Sequence, residues 1–274
     1  MTILARSRRS LVVMLRELCD ELALVGLRLN VSKCVVQSNA DSVNVGRGLT
    51  VGEHVFPMVP GAEGFKVLGV QWCLCGGTCV EFDRRLASAW RRFWQLWPML
   101  GNTSSNITQR LRLLDACVAG VLLWCSGSWT LTQRQRRRLR TTQTDMMRKI
   151  ARVRRMPEEE SLAWFRRATG IARAAAEKAK IGSWLRRHLN VKWSWAGHVA
   201  RMENNRWAKK LTFWREELVG VVQWQRPVRA RAGAFGRWEK DMQKYCSDSG
   251  HVHWRALAQN RDHWQMAAAA FSEA

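Results

Sequence analysis

The chain has 274 residues, 47% of them hydrophobic, enough to bury a core in two or three small domains. Lys and Arg number 45 against 22 Asp and Glu, and the net charge of +23 points to a polyanionic partner. That charge is spread along the whole chain, no apolar run approaches the ~20 residues of a membrane span, and Arg6, Arg8 and Arg9 interrupt any early signal-peptide core, so neither membrane insertion nor secretion is expected.

Ser7 can cap a helix whose apolar positions Leu11, Leu15, Leu18, Leu22 and Val25 step by four and three and so share a face. Gly26 is its left-handed stop. Leu27 to Val31 alternates as a short strand, Ser32-Lys33-Cys34 follows, and Phe65 to Val70 gives a second strand signal. Between them, residues 35–64 are rich in Gly and Pro, with short β pieces expected around Val43–Val45 and His54–Met58. Gln71 to Val80 reads as a hairpin turning at Gly76-Gly77.

A strong helix is predicted over residues 81–100, with Leu86, Trp90, Phe93, Trp97 and Leu100 as its stripe and Gly101 as its stop. Residues 107–125 form the next, stepping through Ile107, Leu111, Leu114, Val118, Val121 and Cys125, and the short loop between them predicts an antiparallel pair. Cys19, Cys117 and Cys125 read as small buried hydrophobes. Thr132 to Gln135 is a capping box opening a third helix with the seam Leu139, Met146, Ile150 and Val153. Its other positions carry Arg134, Arg136, Arg137, Arg138, Arg140, Arg148, Lys149, Arg152, Arg154 and Arg155, against Asp145 alone. Solvated helix faces mix signs, so this face is the best candidate for phosphate contact.

Pro157 and Glu158 to Glu160 announce a further helix start. Helices are expected over 161–170, 171–189 and 206–218, with an exposed basic linker over Arg226–Gly233. Sixteen tryptophans against one tyrosine invite base stacking, yet most recur at helical spacing beside apolar residues and read as core.

The series "GLRLNVSKC", spacer, "FKVLGV" resembles the end of the reverse transcriptase palm in non-LTR (LINE-like) retrotransposons. "LLWCSGSWTLTQRQRRRL" (122–139), "W-x-GH-x-x-R" (195–201), the "GRWEKD" run ending at Asp241, and Trp254, Ala258, Arg261 and Trp264 at their spacing extend the resemblance. It implies an α+β fold, mainly α: the rear of a palm over 1–80, a helical thumb over 81–156 and a basic, Trp-rich helical region over 157–274. It also implies RNA and DNA as partners, as primer-template or hybrid; nuclear and cytoplasmic locations are left open. Phe65, Leu68 and Gly69 match its primer grip, the hairpin that supports a nucleic-acid end. Lys33 and Lys66, with Arg134, Arg137, Arg138, Arg148, Lys149 and Arg152, are the nucleic-acid-binding candidates.

Full-length members hold Mg²⁺ on an Asp-Asp pair just upstream of a segment like Met1–Ser7. No Asp-Asp occurs in these residues, so no catalytic residue or cofactor is assigned, and this stretch should bind without polymerising. Two Cys/His groups raise the question of zinc: Cys73, Cys75 and Cys79, and Cys246, His251, His253 and His263. Neither is a standard ligand set, and no metal is assigned. The alternative is a stand-alone basic DNA- or RNA-binding module, zinc-dependent if the second group holds metal.

Overall fold

Ser7 opens the first helix as its side chain predicts. In the computed structural model, which describes residues 2–38, 48–59, 64–72, 79–219, 238–251 and 253–273, its Oγ accepts from the Ser10 amide at 3.1 Å. Helix α1 spans Arg8–Leu24. Gly26, at φ +73°, ends it. The Leu27 amide then reaches back to the Leu22 carbonyl at 2.8 Å and the Gly26 amide to Ala23 at 3.0 Å, satisfying the last free carbonyls.

The chain divides into two compact units, Met1–Glu81 and Phe82–Ala274. In the first, α1 shares a small core with an antiparallel hairpin, β2 (Leu49–Val51) and β3 (His54–Phe56), which turns at Gly52. Leu15, Leu49, Val51 and Phe56 are its buried residues. Strands β1 (Val36–Gln37) and β4 (Met58–Val59) pair in parallel. Strands β5 (Phe65–Val67) and β6 (Val70–Trp72) form a second hairpin.

Two expectations change here. Leu27–Val31 is not a strand; the chain runs irregularly to a 3₁₀ turn at Val31–Lys33. Ser32 donates to the Asn30 side chain at 2.7 Å, and this local Asn-Ser turn prevails over alternation where no strand among the described residues offers a ladder. Phe65–Val70 is not one strand but a hairpin turning at Leu68-Gly69, both at positive φ. Leu68 therefore does not pack: it is 91% exposed at the tip. The pieces expected at Val43–Val45 and the Gly76-Gly77 turn lie outside the described residues.

The second unit is helical. It contains α2 (Cys79–Gln95) from Phe82 onward, α3 (Trp97–Leu100), α4 (Ile107–Leu114), a π-turn at Asp115–Ala119, α5 (Gly120–Leu122), α6 (Gln133–Ala151), α7 (Ser161–Lys178), α8 (Trp184–Arg201), α9 (Trp207–Val219), α10 (Lys240–Asp248), α11 (Trp254–Gln259) and α12 (Arg261–Glu273). The architecture is thus α+β and mainly α, as the sequence indicated.

The predicted antiparallel pair is present. Arg85, early in α2, donates to the Val121 carbonyl at 3.4 Å, while Arg110 of α4 donates to Leu100 at the end of α3. Gly101 has an ordinary φ of −86°, so it is not a left-handed stop. Its role is close approach: a Cβ there would lie 2.8 Å from the Trp97 ring. The π-turn adds one residue, the helix ends at Leu122, and Cys125 falls at φ +55°, exposed rather than buried. Cys19 and Cys117 are half-buried.

Helix α7 runs unbroken through Gly170, where the sequence predicted a division, and α8 starts at Trp184 instead. The break falls at Lys180, at φ +58°, and Gly182. One continuous core joins residues on both sides of Pro157, from Phe82, Phe93 and Leu111 to Trp193, Trp254 and Phe271.

Candidate nucleic-acid interface

Helix α6 owes its start to Thr132. The Thr132 Oγ1 accepts from the Gln135 amide, and the Gln135 side chain accepts from the Thr132 amide at 2.8 Å. Its inner face is Leu139, Met146 and Ile150, all fully buried, with Thr142, Gln143 and Met147 beside them. Gln143 tethers α8 by donating to the Gly182 carbonyl and accepting from the Trp184 amide, both at 2.9 Å. At the far end Arg152 adopts a left-handed conformation and donates to the Gly101 carbonyl at 2.9 Å. Arg110 is buried beneath and donates to the Ile150 carbonyl at 2.8 Å, so one guanidinium satisfies the ends of both α3 and α6. Burial, with Arg152 nearby, lowers its affinity for the proton.

The cations of α6 divide into two sets. Arg134, Arg137 and Arg140 stand in solvent, and among the described residues none has an acidic partner. Within Gln133–Ala151 the remaining four, Arg136, Arg138, Arg148 and Lys149, are engaged. Arg136 pairs with Asp241 of α10 at 2.7 Å and Arg138 pairs with Asp83. Arg148 pairs with Asp145 and lies 3.7 Å from the centroid of the Phe165 ring. Lys149 hangs 5.4 Å over Trp94, and Arg155 donates to the Glu159 carbonyl. Beside the free set, a groove of about 380 Å³ between α6 and α7 is lined by Arg140, Thr144, Arg173 and Glu177 among others.

The candidates of the first unit sit on turns. Lys33 is exposed in the 3₁₀ turn. Lys66 is exposed on β5, next to the solvent-borne tip at Leu68-Gly69. Phe65 is half-buried, with its ring 5.7 Å from Trp72 across the hairpin.

A buried ionic cluster escaped sequence reasoning. Lys192 of α8 is fully buried, 3.1 Å from the Asp241 carboxylate that also holds Arg136. His188, one turn earlier, is 1% exposed and tilted against Trp129 at 5.8 Å. Burial, reinforced by Lys192 and Arg136, pushes the His188 imidazolium down to about 3, so the ring is neutral. Burial also lowers Lys192, while Asp241 opposes that shift. One signal was available: His188 and Lys192 fall four apart, on the same stripe as Leu185, Leu189, Trp193 and Ala196.

The Glu158 to Glu160 run serves as a clamp. Glu159 binds Arg167 through both oxygens, at 2.8 and 2.7 Å, and accepts from the Met156 amide. The Arg167 guanidinium holds this carboxyl down to about 2.

Most tryptophans among the described residues are core or nearly so, and Trp129, Trp184, Trp193, Trp254 and Trp264 are fully buried. Trp72, Trp94, Trp124, Trp195 and Trp207 are not, at 44%, 49%, 53%, 41% and 73% exposure. Among the described residues, no three His, Cys, Asp or Glu side chains converge as metal ligands. Cys246 is buried on α10, its thiol pushed up to about 11 by burial. The His253 ring accepts from the Arg255 amide at 3.2 Å and so caps α11. Cys73 and Cys75 lie outside the described residues, and no described helix is long and apolar enough to cross a membrane.

No protein-family model matches the chain, and no solved structure does. It is similar to an uncharacterized transposon-derived protein of Caenorhabditis elegans, with 27% identity over 265 residues, covering 92% of this chain and 86% of that protein. The likeness supports a transposon-related origin for this chain.

Proposed function

We propose that these residues form a nucleic-acid-binding portion of a transposable element's RNA-directed DNA polymerase. The C. elegans relative supports the transposon setting, and the ordered motifs from "GLRLNVSKC" to Trp264 support the polymerase kind. The observation that carries the binding role is the row Arg134, Arg137 and Arg140. Their side chains fall three apart on one strip of α6, exposed and without carboxylate partners among the described residues. Such a strip follows one phosphate backbone and displaces its counterions, giving affinity with little base preference. The β5–β6 hairpin, with Lys66 and Leu68 in solvent, is the second point of engagement, suited to a strand end.

The test is the salt dependence of duplex DNA binding by the full chain. Replacing Arg134, Arg137 and Arg140 by Gln removes no buried atom, so circular dichroism should be unchanged. Every phosphate that is no longer neutralised lowers the slope of log affinity against log salt by about 0.9, so the triple variant should be shallower by roughly 2 to 3. A folded variant with the parental slope would place the binding surface off α6.

A further inference from the structure

We propose that Trp94, backed by Trp90 and overhung by Lys149, is a stacking site for the bases of single-stranded nucleic acid. The proposal deepens the nucleic-acid reading and rests on it.

Trp90, Trp94 and Trp97 occur at helical spacing along the α2–α3 stretch and form a continuous aromatic series. The Trp90 and Trp94 rings are 25° from parallel with centroids 6.3 Å apart, and Trp97 follows 5.4 Å beyond Trp94. Phe93, fully buried, meets Trp94 edge-on at 5.1 Å and Trp90 at 5.5 Å, which fixes both indoles to the core. Packing accounts for Trp90 and Trp97, which lie partly buried against that core. It does not account for Trp94, which keeps half of its surface in water on a rigid helix.

What the ring offers is shown by what already sits on it. The Lys149 ammonium lies 5.4 Å from the Trp94 centroid, over the electron-rich face. A base can take that place on the exposed ring of Trp94. The displaced ammonium is then on hand for the phosphate of the same nucleotide, and Arg91, exposed one residue into the preceding turn, adds a further cation. The charge around the ring selects an anionic aromatic ligand over an apolar protein surface. Paired bases in a duplex present no free face, so the site takes unpaired nucleotides.

The experiment measures binding of two fluorescent twelve-nucleotide DNA strands to the full chain, one of thymidine and one of abasic residues with the same phosphates. Wild type should bind the thymidine strand about tenfold more tightly, since base–indole stacking disappears with the base. Trp94→Ala should erase that ratio and leave the salt slope unchanged, whereas Trp94→Phe should retain part of the ratio. Trp124→Ala, which removes an equally exposed indole elsewhere, should retain it all. A wild-type ratio near one, or a ratio preserved in Trp94→Ala, overturns the proposal while the salt slope still reports on α6. Binding of neither strand at low salt removes the nucleic-acid reading and this one together. A change of oligomeric state in Trp94→Ala with the ratio intact would assign the surface to a second copy of the chain and likewise overturn it.

Discussion

The indoles of Trp193 on α8 and Trp264 on α12 lie face to face, centroids 3.6 Å apart and planes within 5°, and each Nε1 donates to the other residue's backbone carbonyl. Aromatic pairs left to themselves prefer an offset or an edge. Here two reciprocal hydrogen bonds, at 2.7 and 3.0 Å, impose the sandwich, and Phe271 stacks on it at 4.4 Å. Gly197 permits it. A Cβ on Gly197 would come within 2.3 Å of Trp264 Nε1. The "W-x-GH-x-x-R" segment and the Trp254-to-Trp264 pattern are thus two halves of one joint, closed further by Arg201 donating to the Ala258 carbonyl at 2.6 Å.

Gly197→Ala should therefore destabilise the second unit by about 1–3 kcal/mol, the usual cost of overpacking, or more if the sandwich breaks. Gly170→Ala is the matched control: nothing lies within 4 Å of its added methyl in α7, and helix propensity favours it by about 0.5–1 kcal/mol. Urea unfolding of both variants decides the matter, and opposite signs are expected.

The ionic cluster predicts an asymmetry. Asp241→Asn leaves buried Lys192 beside Arg136 with no carboxylate, and should cost about 3 kcal/mol. Lys192→Met leaves the Arg136–Asp241 pair intact and should be nearly neutral. In the double variant Lys192→Met should recover most of the deficit. Strictly additive effects in a double-mutant cycle would show that the two groups do not interact.

Acid sensitivity follows from His188. Its folded value is about 3 against an ordinary 6.5, so between those limits the unfolded chain binds the extra proton. Stability then rises with pH across that window and falls as pH drops from 6.5 toward 3, by at most about 1.4 kcal/mol per unit from this group. The groups facing it are Lys192, Arg136 and Asp241. His188→Gln should flatten the slope between pH 4.5 and 6 in urea titrations; an unchanged slope would assign the acid response to other groups.

Leu68 sits at φ +48° with its side chain in water, a backbone conformation that disfavours L-residues by about 1 kcal/mol. Leu68→Asn, suited to a tight hairpin turn before Gly69, should stabilise the first unit by a similar amount. If it instead weakens binding to recessed primer ends and leaves duplex affinity alone, the tip engages strand ends.

Chemistry is the last prediction. These residues hold no paired aspartates for metal at a primer end, so purified chain should give no template-dependent extension with Mg²⁺ or Mn²⁺. Extension that survives stringent purification would sink that expectation.

Local periodicity made much of this fold legible. The seam Leu139, Met146 and Ile150, the capping box at Thr132, and the ends of α1 at Ser7 and Gly26 are properties of neighbouring residues, and each is where the sequence puts it. The departures have local causes as well. Leu114 to Val118 is a step of four whether the helix is α or π, so the extra residue leaves no mark until Cys125 emerges exposed. Leu68-Gly69 lacks the usual Asn or Asp of a tight hairpin turn, so alternation hides it. The cluster of Arg136, His188, Lys192 and Asp241 is illegible for another reason. Arg136 and Asp241 lie 105 residues apart, and only packing reveals which of the α6 cations is internal.

The core of the second unit is supplied from both ends of its sequence, Phe82 and Phe93 at one and Trp254, Trp264 and Phe271 at the other. On a ribosome the two ends are made roughly 10–40 s apart. For that interval α2, α4, α6 and α8 present apolar faces whose partners do not yet exist, Trp193 foremost among them. The nascent chain is thus a natural client for chaperones that shield such faces, and a ribosome stalled before residue 264 would release a product unable to close its own core.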